Sequence, residues 1–192
     1  MDFFDRILSK MDFFEYLNRV LAFQINDLKR GSELAKANFL VAVGCMNTIE
    51  FLGGLRNGEL GMRGKSESRF REGVRLLGTN YGVQFVYPKM LPADEDVMWA
   101  LRCGLTHQYL PRVKQVGFIF IGAGKVDPYR PFGMIERRNG TSYIEKPTLM
   151  VDVSALIEAI ENSCETLFAE LKVDEWKKSR AEKALSLVPE LL

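Results

Sequence analysis

The sequence predicts a mainly α fold: a four- to five-helix up-down bundle with a small antiparallel β insert between the fourth and fifth helices. Three observations carry this expectation. Apolar residues recur at spacings of three, four and seven along most of the chain. Between residues 114 and 153 the pattern changes to β-branched and aromatic runs, and within that stretch Asn139-Gly140 separates two extended segments, a strong short-range hairpin signal. The whole chain, 1–192, reads as one helical domain, with the insert at 114–153 and a C-terminal helical appendage at 174–192.

Phe13, Leu17, Val20, Leu21 and Leu28 mark a first helix to about Lys29, after which Gly31-Ser32 is expected to break and recap the chain. The second helix runs to about Leu55 on an apolar set of Leu34, Phe39, Val43, Met46, Ile49 and Leu52 or Gly53. Glycines 53, 54, 58, 61 and 64 are expected to end it in a mobile connection. Phe70, Val74, Leu77 and Tyr81 predict a third helix from Ser66. The acidic Asp94-Glu95-Asp96 opens a fourth, from about Ala93 to Tyr109, before Pro111. Extended segments follow at Val116–Ile121, Ile135–Arg138, Thr141–Glu145 and Leu149–Val153. Leu156, Ile157, Ile160, Cys164, Leu167, Phe168 and Leu171 then return to helical spacing, and Glu175–Leu187 is a last amphipathic segment. The echo Met1-Asp-Phe-Phe and Met11-Asp-Phe-Phe is too short for a repeat architecture, and Met11 is an alternative initiator.

Composition narrows the chemistry. A single histidine, His107, among 192 residues excludes any within-chain site needing two imidazoles. Three cysteines, Cys45, Cys103 and Cys164, are odd in number and about sixty residues apart, which suits a reducing cytoplasm and offers neither a disulfide framework nor a Cys-x-x-Cys metal site. No metal or cofactor is expected. The acidic start is unlike a signal peptide, and Asn38, Asn47 and Glu50 interrupt the most apolar stretch, so no membrane association is expected. A net charge of +1 provides no global field for nucleic acid; any such binding must be local.

The fourth helix is the most informative. On a wheel of 100° per residue, Val97, Leu101, Gly104 and Leu105 form one apolar face, while Trp99, Cys103, Thr106 and Leu110 form a second on the opposite side. Arg102 and His107 stand at the two edges of that second face. A helix with two such faces packs on two sides, and the second suits another subunit.

Arg102-Cys-Gly-Leu-Thr-His107 resembles the Arg-x4–6-His signature of the HEPN superfamily. The resemblance extends over roughly 12–110 and 154–172 as architecture. It implies a four- to five-helix bundle with the motif on a late core helix, RNA as substrate, metal-independent endoribonuclease activity, and a homodimer that brings two motifs together. It also implies a class of members that have lost catalysis and bind or scaffold, and partners such as a cognate antitoxin. In RNA cleavage a ribose 2′-OH attacks the adjacent phosphate. His107, with an unperturbed pKa of about 6.5, suits the base or the acid, and Arg102 suits a two-pronged hold on phosphate oxygens. One histidine serves one proton transfer, so two chains supply both. Glu50, polar on an apolar stretch, is the candidate to orient His107. These three residues form the expected catalytic set.

The segment 56–75 carries Arg56, Arg63, Lys65, Arg69, Arg71 and Arg75 against Glu59, Glu67 and Glu72. Arg63, Lys65 and Arg69 are the candidate phosphate contacts; a solvated helix face explains the same charges. Gly61-Met-Arg-Gly64 lacks the context of a KH loop, and Gly122-Ala-Gly124 lacks that of a dinucleotide site. Cys103 reads as a buried small hydrophobe rather than a nucleophile. The alternative to an RNA-binding endoribonuclease is a non-catalytic dimeric interaction module, of toxin–antitoxin type or a scaffold, docking through the sheet. Arg102 with His107 favours the first reading, Cys103 and the near-neutral charge the second. For the pair itself, the structural alternative is a histidine at a helix C-terminus, worth about 0.3–1 kcal/mol against the dipole, and a snorkelling arginine.

Overall fold

The computed structural model describes residues 12–35, 37–78, 97–108, 117–121, 132–139 and 142–186. Among these are helices α1 (Phe13–Glu33), α2 (Asn38–Asn57), α3 (Ser66–Leu76), α4 (Val97–Gln108), α5 (Val153–Val173) and α6 (Glu175–Ser186). The strands are β1 (Gly117–Ile121), β2 (Phe132–Asn139) and β3 (Ser142–Asp152). The protein is a mainly helical bundle with a small β insert between α4 and α5.

Helix α1 starts where the Asp12 carboxylate accepts from the Phe14 amide at 3.1 Å, a side-chain cap for an otherwise orphaned donor. It continues through Gly31 and Ser32, contrary to the break expected there. The reason is packing: a Cβ on Gly31 would stand 2.9 Å from Val41 Cγ2, so the missing side chain admits α2, and Ser32 is buried with its Oγ 3.4 Å from Ser154 Oγ on α5. Small residues at a helix crossing resemble a terminator in sequence. Leu34, expected on the apolar face of the second helix, is instead the C-cap of α1 and exposed.

Helix α2 is the centre of the bundle and, among the described residues, packs against every other helix and β1. Cys45, Met46, Ile49, Leu52 and Leu55 are fully buried on it. It has the length and composition of a membrane span, yet most of it lies inside the bundle, as a core helix does. Gly53 and Gly54, expected to end it, lie in its interior. A Cβ on Gly53 would stand 1.9 Å from the Arg69 carbonyl oxygen, and one on Gly73 of α3 would stand 1.9 Å from that of Ile49. These two glycines bring the α2 and α3 backbones into direct contact. The helix ends at Gly58, whose φ of 65° is the left-handed conformation glycine tolerates, and the Arg180 guanidinium of α6 caps the Asn57 carbonyl.

Leu101 and Leu105 on α4 are fully buried, as the apolar face predicts, while Trp99, Cys103 and Thr106 on the opposite face are half-buried. Tyr81, Ala93 to Asp96 and Tyr109 lie outside the described residues. In the insert, β2 and β3 pair antiparallel as expected, but β1 joins β3 in parallel, giving the order β1-β3-β2. Asn139 is itself a ladder residue, paired with Ser142. The two extended segments expected at 141–145 and 149–153 are one strand; its register with β2 shifts between Ile135 and Arg137, opposite the stretch containing Pro147, which has no amide to donate to a ladder. The Phe39 and Phe120 rings, 5.7 Å apart edge to face, seat β1 on α2.

Asp152, buried at the end of β3, caps α5 by accepting from the Ser154 and Ala155 amides. Helix α6, the expected appendage, contributes Ala181, Ala184 and Leu185 to the same buried cluster as α1–α5.

Candidate functional site

The candidate site is a charged cluster where α2, α3 and α4 meet. Glu50 lies on the face of α2 turned toward α3, and the Gly53–Gly73 contact draws α3 close enough for short bonds. Ser66 and Arg69, one turn apart at the start of α3, both reach Glu50 Oε1: Ser66 Oγ donates at 2.8 Å, Arg69 Nε at 3.1 Å and Arg69 Nη2 at 2.7 Å. Arg102 comes from α4 and donates to the other oxygen, Oε2, from Nε at 3.1 Å and Nη2 at 2.5 Å. Its Nη2 also donates to Ser66 Oγ at 2.8 Å, closing a ring of bonds. The guanidinium carbon of Arg102 stands 5.2 Å from the centre of the Trp99 ring, which packs in turn on Phe70.

The cluster is nearly closed to solvent, with side-chain exposures of 11% for Arg102, 12% for Glu50 and 16% for Arg69. Burial pushes the Glu50 carboxyl up, but hydrogen bonds from Arg69, Ser66 and Arg102, with the Arg102 charge, outweigh it and hold the group below the usual carboxylate range. Glu50 is therefore an anchoring anion, with both oxygens occupied, and is not placed to exchange protons. Two guanidiniums, those of Arg69 and Arg102, share this one carboxylate.

The structure joins Arg102 and Glu50, two of the three expected catalytic residues. His107 belongs to the last turn of α4, five residues beyond Arg102, and its side chain lies outside the described residues. Among the described residues Glu50 bonds to Arg102, Arg69 and Ser66, and the expected contact between Glu50 and His107 falls outside the described residues.

The basic segment sorts into distinct roles. Arg69, expected among the phosphate contacts, has all three guanidinium nitrogens engaged: Nε and Nη2 on Glu50, and Nη1 on the carbonyls of Glu59 and Met62 at 3.2 and 2.8 Å. Arg56 joins three helices by donating to Glu72 and to both oxygens of Glu170. Arg71 pairs with Glu67 and Arg75 with Glu72. Arg63 is exposed, and Lys65, half exposed, stands 3.3 Å from Glu59.

Ser66 was legible in sequence only as the start of a helix; a serine three residues before an arginine is the signal that could have joined it to Glu50. Among the described residues no three His, Cys, Asp or Glu side chains converge to hold a metal ion. A groove of about 370 Å³ between α1 and α5, bridged by the Lys29–Glu161 ion pair, shares no residue with the cluster. No family model, curated protein or solved structure matches the chain.

Proposed function

We infer that the protein is an HEPN-like RNA-binding protein that cleaves RNA without a metal ion as a homodimer, two copies facing each other through α4. One observation supports this reading above the others: Arg102 is held by Glu50 and Ser66 at the edge of the helix that also carries His107. A guanidinium fixed before substrate arrives loses little freedom on binding a phosphorane. His107 of one chain takes the proton of the ribose 2′-OH as the oxygen attacks phosphorus. The second chain's histidine, protonated, gives its proton to the leaving 5′-oxygen, so the proton count closes.

A specific observation favours a second reading, a non-catalytic dimeric interaction module in which Arg102 serves the fold. Arg102 is only 9% exposed and its charge is already met by Glu50. A cytoplasmic partner protein, such as an antitoxin, would then be the ligand.

The test is cleavage of single-stranded RNA in the presence of chelator, with sedimentation to give the oligomeric state. The nuclease reading expects His107→Ala and Arg102→Ala each to lose about a hundredfold or more of the rate, with circular dichroism confirming that both are folded. Undiminished cleavage in both variants, or none by the wild type at high protein concentration, sinks it. A dimer that neither binds nor cleaves RNA points to the second reading.

A further inference from the structure

We propose that the loop 58–65 between α2 and α3 is the RNA-backbone contact of this protein, with Arg63 and Lys65 meeting phosphates and Arg69 latching the loop to the Arg102 cluster. It rests on the RNA reading above. Three observations carry it. The loop leaves α2 through a glycine and holds left-handed φ values at Gly58, Gly61 and Gly64, so its course is set by backbone conformation. Its inner side is bound by Arg69, whose Nη1 donates to the Glu59 and Met62 carbonyls while the rest of the same guanidinium grips Glu50, the carboxylate that also holds Arg102. One planar group therefore ties the loop to the motif helix.

Its outer side is exposed and cationic. Arg63 and Lys65 project from it, and Met62 beside them is 45% exposed. Within the loop's own residues, 58–65, Arg63 and Lys65 stand against one carboxylate, Glu59, in a chain whose total is only +1. The other arginines of the segment are matched: Arg71 by Glu67, Arg75 by Glu72, Arg56 by Glu72 and Glu170. Local excess charge is what a near-neutral protein needs to attract a polyanion. RNA fits better than an acidic peptide because Arg63 offers a planar face for a base as well as charge for its phosphate, with an apolar methionine beside it.

The experiment measures binding of a labelled single-stranded RNA oligonucleotide by anisotropy across a salt series. It uses the full chain, with Arg63→Ala/Lys65→Ala, the control Arg71→Ala/Arg75→Ala of equal charge change, and Arg69→Lys. The loop pair should lose about tenfold in affinity, and its salt slope should fall by about 0.7 for each phosphate no longer neutralised, while the control pair binds as wild type. Arg69→Lys keeps the charge but loses the carbonyl bonds, so affinity should fall with the slope unchanged. Equal losses in the loop and control pairs would mean a net-charge effect and overturn the proposal. Wild-type binding that all three variants retain overturns this proposal and leaves the RNA reading standing; no wild-type binding at low salt overturns both. Displacement by polyglutamate as effective as by RNA of equal charge assigns the loop to an acidic protein surface instead.

Discussion

Arg102 of α4 and Glu50 of α2, fifty-two residues apart in sequence, are joined by two hydrogen bonds from one guanidinium to one carboxylate oxygen. The pair is nearly closed to water, where an unmatched charge is costly. Glu50→Gln removes the anion from under two guanidiniums. We expect a loss of about 3 kcal/mol in urea unfolding. A double-mutant cycle with Arg102→Met should return a coupling of about 1–3 kcal/mol; additive losses would mean that the two groups do not interact in solution.

Acid should act on the same pair. Glu50, Glu59 and Glu170 are all held below the usual carboxylate value of 4.5, because hydrogen bonds and nearby cations outweigh the burial that pushes them up. A folded-state pKa below the unfolded one contributes stability that is present above about 4.5. That stability is lost as pH falls through the folded value. Melting temperature should therefore be level from neutrality down to about pH 5 and fall steeply below it. The decline should be shallower in Glu50→Gln, which has one fewer carboxylate to protonate.

Two glycine substitutions should separate crowding from backbone strain. Gly53→Ala places a methyl group 1.9 Å from the Arg69 carbonyl oxygen, backbone that can yield only by moving α3, and should cost about 3 kcal/mol. Gly64→Ala meets no atom within 4 Å but must hold a φ of 72°, and should cost about 1 kcal/mol. Equal losses in chemical denaturation would contradict the helix contact.

Thiol reactivity reports on the second face of α4. Burial pushes the Cys45 and Cys164 thiols up to about 12, so neither should react with Ellman's reagent in the native state near pH 8. Cys103, half-buried on that face, should react alone, and all three after denaturation. If copies pair through α4, raising the protein concentration should slow the Cys103 reaction. A rate independent of concentration would place the subunit contact elsewhere.

The mainly helical fold was legible because its helices bury one side against a common core, and burial leaves a repeating spacing in the residues. Leu101 with Leu105, and Ile160 with Leu167, are examples. What misled was smallness. Gly31, Gly53 and Gly54 read as places where a helix stops, whereas each lets a neighbour approach an unbroken helix, and sequence spacing carries no record of a neighbour from another part of the chain. Parallel pairing of β1 with β3 was hidden for the same reason, since it depends on which distant strand lies alongside. In the site, Glu50 was conspicuous as a carboxylate on an apolar helix. Its partners were not, because Arg69 and Ser66 look like any solvated first turn until α3 is laid against α2.

The contact between Gly53 and Gly73 also carries an expectation for the order of folding. Helices α2 and α3 are neighbours in sequence, so they can close on each other with little loop entropy, ahead of the more distant β1–β3 and α2–α5 pairings. Glu50, Ser66 and Arg69 all belong to this local hairpin. The Glu50 socket should thus form early, with α4 docking into it later through Arg102. In native-state hydrogen exchange, the amides of 45–55 and 70–76 should be the slowest to open, and those of α4 should open at lower free energy, as a detachable bolt does in a lock that stays assembled.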